Sequence, residues 1–373
     1  MHAFFETLGL SAPIIQAPMA GVQNHDLAIA VCQADGLGSL PAAMLNPPAL
    51  QTQLQALKSA TNGPFNVNFF CHTTPTPDPV IQAHWQEILA PYRRELGLDT
   101  RPPSTEPGRL PFNHDSADVL EAFAPAVVSF HFGLPAPDLL TRVKSWGSMV
   151  LSSATTVQEA LWLQAHGVDA VIAQGLEAGG HRGMFLTQDL STQMGTFALL
   201  PQIVHALDVP VIAAGGIGSA QSIAAAKMLG AHGVQIGTAY LCSHEATTSA
   251  LHRAALQSDA ARHTALTPVF SGRPARGIVN RAMRELGPVS SQAPAFPLAT
   301  ADITPLRTAA EALGRTDFTP LWAGQNASHA RSLSASDITR EFVQAWLDAP
   351  EMAKPHNSAT PAPHAPLRNH DAG

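Results

Sequence analysis

The sequence contains little charge and few aromatic side chains. Charged residues make up 13% and aromatic residues 6% of the 373 residues, whereas hydrophobic residues make up 45%. This composition excludes a disordered chain and a coiled coil and is typical of a globular protein with a large core. The length allows either one large domain with an insertion or two domains.

Basic side chains are also scarce. The 21 lysines and arginines form no run and are outnumbered by 28 acidic residues, which gives a formal net charge of -7. We therefore expect neither a nucleic acid nor an anionic membrane as a partner. No apolar run approaches the roughly 18 residues of a membrane-spanning helix, and the first 22 residues lack the basic start of a secretory signal. These features predict a cytoplasmic protein that acts on small molecules, as a monomer or a homodimer.

The chain has only three cysteines, Cys32, Cys71 and Cys242, and no two of them have CxxC spacing. This pattern predicts neither a disulfide scaffold nor a zinc site and fits a reducing compartment. The sequence also lacks HExxH, a carboxylate cluster and a GxSxG elbow. Metal hydrolases and serine esterases are therefore excluded, and we expect no bound metal.

Short apolar runs alternate with longer amphipathic stretches from residue 13 to about residue 240, which is typical of a parallel α/β sheet. Eight runs predict strands, the number found in a (β/α)₈ TIM barrel: 14–17, 36–40, 65–70, 126–130, 149–153, 170–174, 209–213 and 234–237. The alternative, a doubly wound open sheet, needs a glycine-rich turn after the first strand. The glycine-rich turns here follow the last three strands instead, which favours the barrel.

The pattern also predicts a smaller helical part that is inserted into the barrel or appended to it. We assign residues 1–243 and 300–348 to the barrel domain, with a proline-rich insertion at 73–115, and residues 244–299 to a small satellite domain. Helices are predicted at 245–262 and from Pro305 to residue 313. Residues 349–373 have no apolar periodicity and are predicted to be a disordered tail.

Two glycine turns at neighbouring strand ends predict a phosphate site. Gly215 and Gly216 follow the seventh predicted strand and open a helix, while Gln235, Ile236, Gly237 and Thr238 end the eighth strand. Glycine lets backbone N–H groups approach an anion closely, and a helix N-terminus attracts one. Barrel enzymes usually bind phosphate after these two strands. The alternative is that these glycines serve only tight helix–strand packing.

Other strand ends place polar and small residues at the same rim. A segment with four glycines follows Gln174 and contains Gly179, Gly180 and His181, so it can fold against a flat ligand while presenting an imidazole. Alternation along the third strand sends Asn66 and Asn68 to one face, where a heterocycle with several acceptors would satisfy their amides. The alternative is that both amides bond to neighbouring backbone. His131 ends the fourth strand, where it either contacts a ligand or caps the following turn. Ala17, Pro18 and Met19 follow the first strand and allow a ring to pass close to the backbone.

Two arginines, Arg273 and Arg276, lie three positions apart in the predicted satellite segment. We expect them either to bind a phosphate or carboxylate or to form surface ion pairs.

These motifs together resemble the nitronate monooxygenase family, formerly called 2-nitropropane dioxygenases, over about residues 10 to 345. The resemblance is strongest to class I members, and it rests on Phe69 to His72, on Gly180 to Gly183 and on Leu321 to Gln325. It implies a TIM barrel with a smaller domain, non-covalent FMN and a catalytic role for His181. It implies FMN contacts at the motif positions, namely Asn68, Gln174, Gly179, Gly216 and 235–238.

The resemblance further implies the oxidation of alkyl nitronates, such as propionate 3-nitronate, by O₂ to a carbonyl compound and nitrite. His181 would then hold the anionic nitro group or act as a base toward a neutral nitroalkane. The chain departs from the family in having only two tyrosines, Tyr92 and Tyr240, whereas members active on carboxylated nitronates tend to have tyrosines near the segment that here spans 318–331. The alternatives are an NAD(P)H-dependent enoyl or quinone reductase that uses FMN, a non-redox barrel for a phosphorylated metabolite, and a flavin-binding protein without catalysis.

Overall fold

The computed structural model describes residues 3–99 and 109–351. Its described residues form eleven β-strands, which we number β1 to β11 in chain order: Ile14–Gln16, Gly38–Pro41, Phe65–Phe70, Val127–His131, Met149–Ala154, Ala170–Gln174, Gly180–His181, Val211–Ala214, Gly233–Ile236, Thr264–Thr267 and Ala275–Ile278. They also form thirteen α-helices, α1 to α13: Ala3–Thr7, His25–Cys32, Pro47–Ala60, Pro79–Glu95, His114–Glu121, Pro137–Ser145, Val157–Ala165, Thr196–Ala206, Ala220–Met228, Ala250–Leu256, Arg281–Glu285, Ala299–Ala312 and Ala335–Asp348.

Eight parallel strands form the barrel, which confirms the predicted fold class. Their order around the sheet is β1-β9-β8-β6-β5-β4-β3-β2, and a parallel bridge between Ile15 and Leu37 brings the two edge strands together. All eight predicted strands are present within a few residues of their expected ends. β3 therefore lies across the barrel from β8, an arrangement that separates the two sides of the site described below.

Two hydrophobic clusters explain why the strand sequences are almost continuously apolar. The side chains that alternate outward pack beneath the helices, and those that point inward fill the barrel. Phe4 and Phe5, on or beside the first helical turn, belong to the inner cluster and contact each other edge to face at 4.9 Å. A strand buried on both faces must be apolar on both, which is why simple alternation is weak here.

A small antiparallel sheet and a second helical core lie outside the barrel. β11 pairs with β10 on one side and with β7 on the other, so the 264–278 segment reaches back to the loop after β6. α4, from the predicted insertion, and α12 share a separate cluster that includes Trp85, Phe270 and Leu306. The assigned domain boundaries remain a prediction, and most of the predicted tail, 352–373, lies outside the described residues, as do residues 100–108.

Two predicted helices have different limits from those expected. Residues 245–262 contain a shorter helix, α10, followed by a 3-10 turn at Asp259–Arg262. The guanidinium of Arg253 donates to the carbonyls of Cys242, Ser243, Ala246 and Thr248 and holds that stretch in a loop. α12 begins six residues before Pro305, because Ile303 and Leu306 pack together in the second core.

Within the described ranges, no helix has the length and apolar character needed to cross a membrane. Over the same ranges, no group of three or more histidine, cysteine, aspartate or glutamate side chains is arranged to hold a metal ion. The three cysteines are all free thiols.

Candidate active site

A cavity opens at the carboxyl ends of the barrel strands. The parallel strands all end at this rim, so residues distant in sequence meet there. The fourteen predicted cofactor contacts and the predicted catalytic residue, fifteen positions in all, were proposed from the ends of barrel strands and the turns that follow them. Fourteen of these positions line the cavity: Ala17, Pro18, Met19, Asn68, His131, Gln174, Gly179, Gly180, His181, Gly215, Gly216, Gln235, Gly237 and Thr238.

Ile236 is the predicted contact that does not line the cavity. Its side chain is 1% exposed and packs in the cluster between the barrel and the helices. Alternation along β9 explains this, because successive side chains point to opposite faces. Its backbone carbonyl still accepts from the N–H of Ala17 at 2.8 Å, so Ile236 positions the first turn of the rim.

One side of the cavity is a glycine cradle at the ends of β8 and β9. Gly215 and Gly216 have φ values of +114° and +72°, a region that side-chain-bearing residues rarely adopt. The following helix, α9, begins with a capping box between Ser219 and Ser222, so its first turn is fixed. The cradle therefore presents backbone beside a helix N-terminus, an arrangement suited to a phosphate.

Residues 323–326, which follow α12, close this side. Thr238 Oγ1 accepts from the N–H of Gly324 at 2.9 Å, and Asn326 donates to the carbonyl of Gly216 at 3.0 Å. A Cβ placed on Gly179 would lie 2.5 Å from the nitrogen of Gly324. The loop after β6 thus contacts the 323–326 segment directly, and glycine is required at the contact.

Gln235 gives a direct sign that the cavity is built for a ligand. Its Oε1 atom is buried and, among the described residues, accepts no hydrogen bond. An unpaired buried acceptor is costly, so it is normally satisfied by a partner. A ligand with an N–H or O–H donor would satisfy it in this cavity.

His181 is held from several directions. β7 pairs with β11 in the register His181 opposite Ala275. The backbone carbonyl of His181 accepts from Gln174 Nε2 at 2.9 Å and lies 3.1 Å from His131 Nε2. Gln174 Oε1 also accepts from the N–H of Gly183 at 2.7 Å. Both amide atoms of Gln174 thus hold the histidine loop, a role that the sequence did not indicate.

His131 combines the two roles that the sequence left open. It lines the cavity, and it supports the His181 backbone through its Nε2 atom. Burial lowers its pKa to about 4, so the ring is neutral at pH 7. Since a carbonyl can only accept, Nε2 carries the proton, and Nδ1 accepts from Ser153 Oγ at 3.1 Å.

The His181 ring is also neutral at pH 7. Burial lowers its pKa well below the usual value, and the positive charge of Arg109 lowers it further. Nε2 lies 2.8 Å from Ser271 Oγ, whereas Nδ1 has no hydrogen-bond partner in the described chain. Phe296 and Trp322 lie beside the ring, with centroids 5.3 and 5.6 Å away. The imidazole therefore sits in an apolar wall with one nitrogen fixed and the other available.

Three arginines behind the cavity wall bind backbone rather than carboxylates. Arg182 is fully buried and donates to the carbonyls of Gly175 and Gln174 at 2.6 and 2.7 Å. Arg276 donates to the Leu176 carbonyl at 2.9 Å. Arg273 donates to a backbone carbonyl and lies 4.0 Å from the ring centroid of Phe132. Of the two alternatives predicted for Arg273 and Arg276, surface ion pairing is wrong within the described residues, because both side chains instead brace the loops around His181.

The sequence did not single out several residues that line the cavity or contact His181. Ser271, Phe296 and Trp322 come from segments about 90 or more positions after His181, and no local pattern marks their contact with it. Arg109 lies in the proline-rich insertion, where it reads as an ordinary loop cation. Only the resemblance to a family drew attention to the segment around Trp322.

The chain is similar to proteins of one family along most of its length. The family model described as nitronate monooxygenase matches residues 2–345. A protein named nitronate monooxygenase from Paraburkholderia phytofirmans is 41% identical over 346 residues, covering 91% of this chain and 94% of that protein. Another from Pseudomonas aeruginosa is 40% identical over 344 residues, covering 91% and 98%.

The chain is also similar to solved structures along most of its length. The nitroalkane oxidase of Streptomyces ansochromogenes superposes with a TM-score of 0.84 at 37% identity, covering 93% of this chain and 98% of that one. FabK of Thermotoga maritima superposes with a TM-score of 0.68 at 24% identity, covering 93% and 96%. The second likeness shows the shared fold alone.

Proposed function

The chain belongs to the nitronate monooxygenase family, a family of flavin-dependent oxidoreductases, and on that premise we propose that it oxidises alkyl nitronates with FMN and O₂. The products would be a carbonyl compound and nitrite, and propionate 3-nitronate is a representative substrate. The observation that carries this proposal is a neutral His181 at the rim of a cavity that contains both an anion cradle and an unpaired buried acceptor.

The residues present fit FMN. Gly215, Gly216, Gly237 and Thr238 would hold its phosphate, because their backbone is unobstructed by side chains and adjoins the first turn of α9. Gln235 would accept from a ring or ribityl donor and thereby satisfy Oε1. The isoalloxazine ring would lie against Ala17–Met19, Asn68, Gln174, Gly179 and Gly180. FMN, when bound, supplies the redox chemistry that links nitronate oxidation to O₂.

His181 would orient the substrate through a hydrogen bond. Ser271 Oγ is 2.8 Å from Nε2 of His181 but 3.3 Å from the carbonyl of Arg273, and the shorter contact favours donation to Nε2. In that tautomer Nδ1 carries the proton and can donate to a nitronate oxygen. The imidazole then fixes the carbon–nitrogen double bond of the substrate in the apolar wall, where bulk water is excluded.

The electrostatics favour a nitronate over a neutral nitroalkane. A base that deprotonates a nitroalkane works best with a pKa near the operating pH, but burial and nearby arginines hold the pKa of His181 well below its usual value. A nitronate is already deprotonated, so it needs a hydrogen-bond donor and a positive potential instead. Both are available around His181.

Anaerobic mixing tests the proposal. The purified holoenzyme is mixed with propionate 3-nitronate and, separately, with NADPH and NADH, while absorbance at the flavin bands is followed. We expect bleaching by the nitronate alone and nitrite formation once air is admitted. Bleaching by a nicotinamide alone would refute the proposal in favour of a reductase, and a colourless protein that FMN does not reconstitute would refute the flavin assignment.

His181→Asn provides the matched variant for this assay. It removes the imidazole while keeping a polar side chain, and we expect flavin reduction by the nitronate to slow by about 100-fold or more, the range lost when a positioned hydrogen-bond donor to a charged oxygen is removed. His205→Asn is the control, since His205 is exposed on α8. Equal rates in the two variants would contradict the role given to His181.

We further propose that the protein acts in the cytoplasm on a small-molecule nitronate and O₂, as a monomer or a homodimer. The free thiols support the reducing compartment.

A further inference from the structure

Arg109 places a cation on the wall of the cavity. It lines the cavity and is half-buried, and its guanidinium forms no hydrogen bond or ion pair with any residue in 3–99 or 109–351. The three other arginines near His181 each donate to at least one backbone carbonyl. An arginine keeps its charge under almost all conditions, and a partly buried one without a partner is costly. A ligand anion would remove this cost.

The backbone around Arg109 is fixed. His72 Nε2 lies 3.0 Å from the Arg109 carbonyl, and the N–H of Phe112 donates to the carbonyl of Phe70 at 2.8 Å. The second contact ties the segment to the end of β3. These two contacts hold the backbone around Arg109 against the rim of the cavity and so help to position its side chain.

Arg109 and His181 lie on the same side of the cavity. Phe296 contacts both, with its ring centroid 5.9 Å from Arg109 Cζ and 5.3 Å from the His181 ring. Arg109 also has the largest effect of any charged group on the pKa of His181, which it lowers. One small substrate could therefore reach both side chains across the face of Phe296.

The phosphate of a flavin is an unsuitable partner for Arg109. The glycine cradle follows β8 and β9, whereas Arg109 is tied to β3, and β3 lies across the barrel from β8 in the strand order. Two anion sites thus lie on opposite sides of one cavity. The first suits a phosphate, and the second faces the space beside His181.

We propose that Arg109 determines substrate specificity by binding a carboxylate carried on the carbon chain of the nitronate. This inference rests on the proposed function and deepens it, because it divides nitronates into those with a second anion and those without. The planar guanidinium matches the two oxygens of a carboxylate in a bidentate contact. His181 would hold the nitronate end, while Phe296 would cover the short apolar chain between the two anions. A plain alkyl nitronate would leave Arg109 unpaired.

A comparison of two substrates and three variants tests the inference. Propionate 3-nitronate carries the carboxylate, and butyl-1-nitronate has similar length without it. For Arg109→Gln we expect kcat/KM on propionate 3-nitronate to fall by about 10- to 100-fold, mainly through KM, as for loss of a charge-assisted hydrogen bond. On butyl-1-nitronate we expect a change of less than about threefold. Arg109→Lys keeps the positive charge but cannot form the bidentate contact. Its kcat/KM on propionate 3-nitronate should lie between those of the wild-type protein and Arg109→Gln.

Arg262→Gln is the matched control, because it removes one positive charge from a side chain that is 83% exposed and outside the cavity. It should leave both substrates unchanged. FMN content and the anaerobic dissociation constant for each nitronate, read from flavin reduction, separate substrate binding from folding. An equal loss on both substrates, or no loss on propionate 3-nitronate, would overturn the inference. If the wild-type protein oxidised neither nitronate, the proposed function itself would be overturned instead.

Discussion

His252, a buried histidine outside the cavity, predicts a loss of stability in acid. Its side chain is 3% exposed, and burial lowers its pKa to about 4, while a hydrogen bond to the backbone of Trp322 raises it by less. In the unfolded chain the pKa returns to about 6.5. Between these values the unfolded chain binds more protons than the folded one, so the free energy of unfolding falls as the pH falls. The contribution of His252 is fully present above about pH 6.5 and is lost as the pH approaches 4.

The size of the effect follows from the pKa difference. One pKa unit corresponds to about 1.4 kcal/mol, so His252 alone lowers the free energy of unfolding by about 2 kcal/mol between about pH 7.5 and about pH 5. His72 and His131 also have pKa values lowered to about 4 by burial. The three together would remove about 6 kcal/mol at about pH 5, a large part of the stability of an ordinary protein.

Urea unfolding of the wild-type protein and of His252→Gln, each with saturating FMN at both pH values, isolates the contribution of one histidine. We expect the decrease in the free energy of unfolding between the two pH values to be about 2 kcal/mol smaller in the variant. The effect of pH on FMN binding cancels in this comparison. His205→Gln changes an exposed histidine and should keep the wild-type decrease. An equal decrease in the wild-type protein and in His252→Gln would refute the reasoning.

Two further substitutions test the site. Ser271→Ala removes the partner of His181 Nε2, and we expect kcat/KM on nitronates to fall by about 2- to 12-fold, as for a neutral hydrogen bond, with FMN content unchanged. Ser271→Thr should restore the rate. A normal rate in the alanine variant would contradict the positioning role. Gly179→Ala would place a Cβ 2.5 Å from the nitrogen of Gly324, so we expect the protein to lose FMN on purification, measured by flavin absorbance, whereas Gly63→Ala, outside the cavity, should retain it.

The barrel and the glycine side of the cavity could be predicted from the sequence because their signals are local. Each barrel strand is an apolar run of a few residues, and each glycine turn adjoins the strand that positions it. The ends of helices were less predictable. Pro305 reads as a helix start, yet tertiary packing of Ile303 and Leu306 extends α12 on its N-terminal side.

The environment of His181 could not be predicted because it depends on contacts between distant segments. The sequence indicates a histidine at the rim but not its surroundings, in which burial and the charge of Arg109 lower its pKa well below the usual value. Ser271 and Phe296 reach the ring only because β11 pairs with β7 and returns the chain to the rim. No periodicity encodes this pairing, since β7 has only two residues.

The two sides of the cavity therefore have different structural origins. The proposed phosphate side consists of barrel strand ends closed by residues 323–326, and a side chain at Gly179 would collide with the backbone of that closing segment. The proposed substrate side draws Arg109 from the insertion and Phe296 and Trp322 from segments beyond the last barrel strand. Substitutions on that side can alter which anion is bound without disturbing the cradle. If the two sides are this separable, Arg109→Gln should change substrate preference at full FMN content, whereas Gly179→Ala should abolish FMN binding and with it the oxidation of every nitronate.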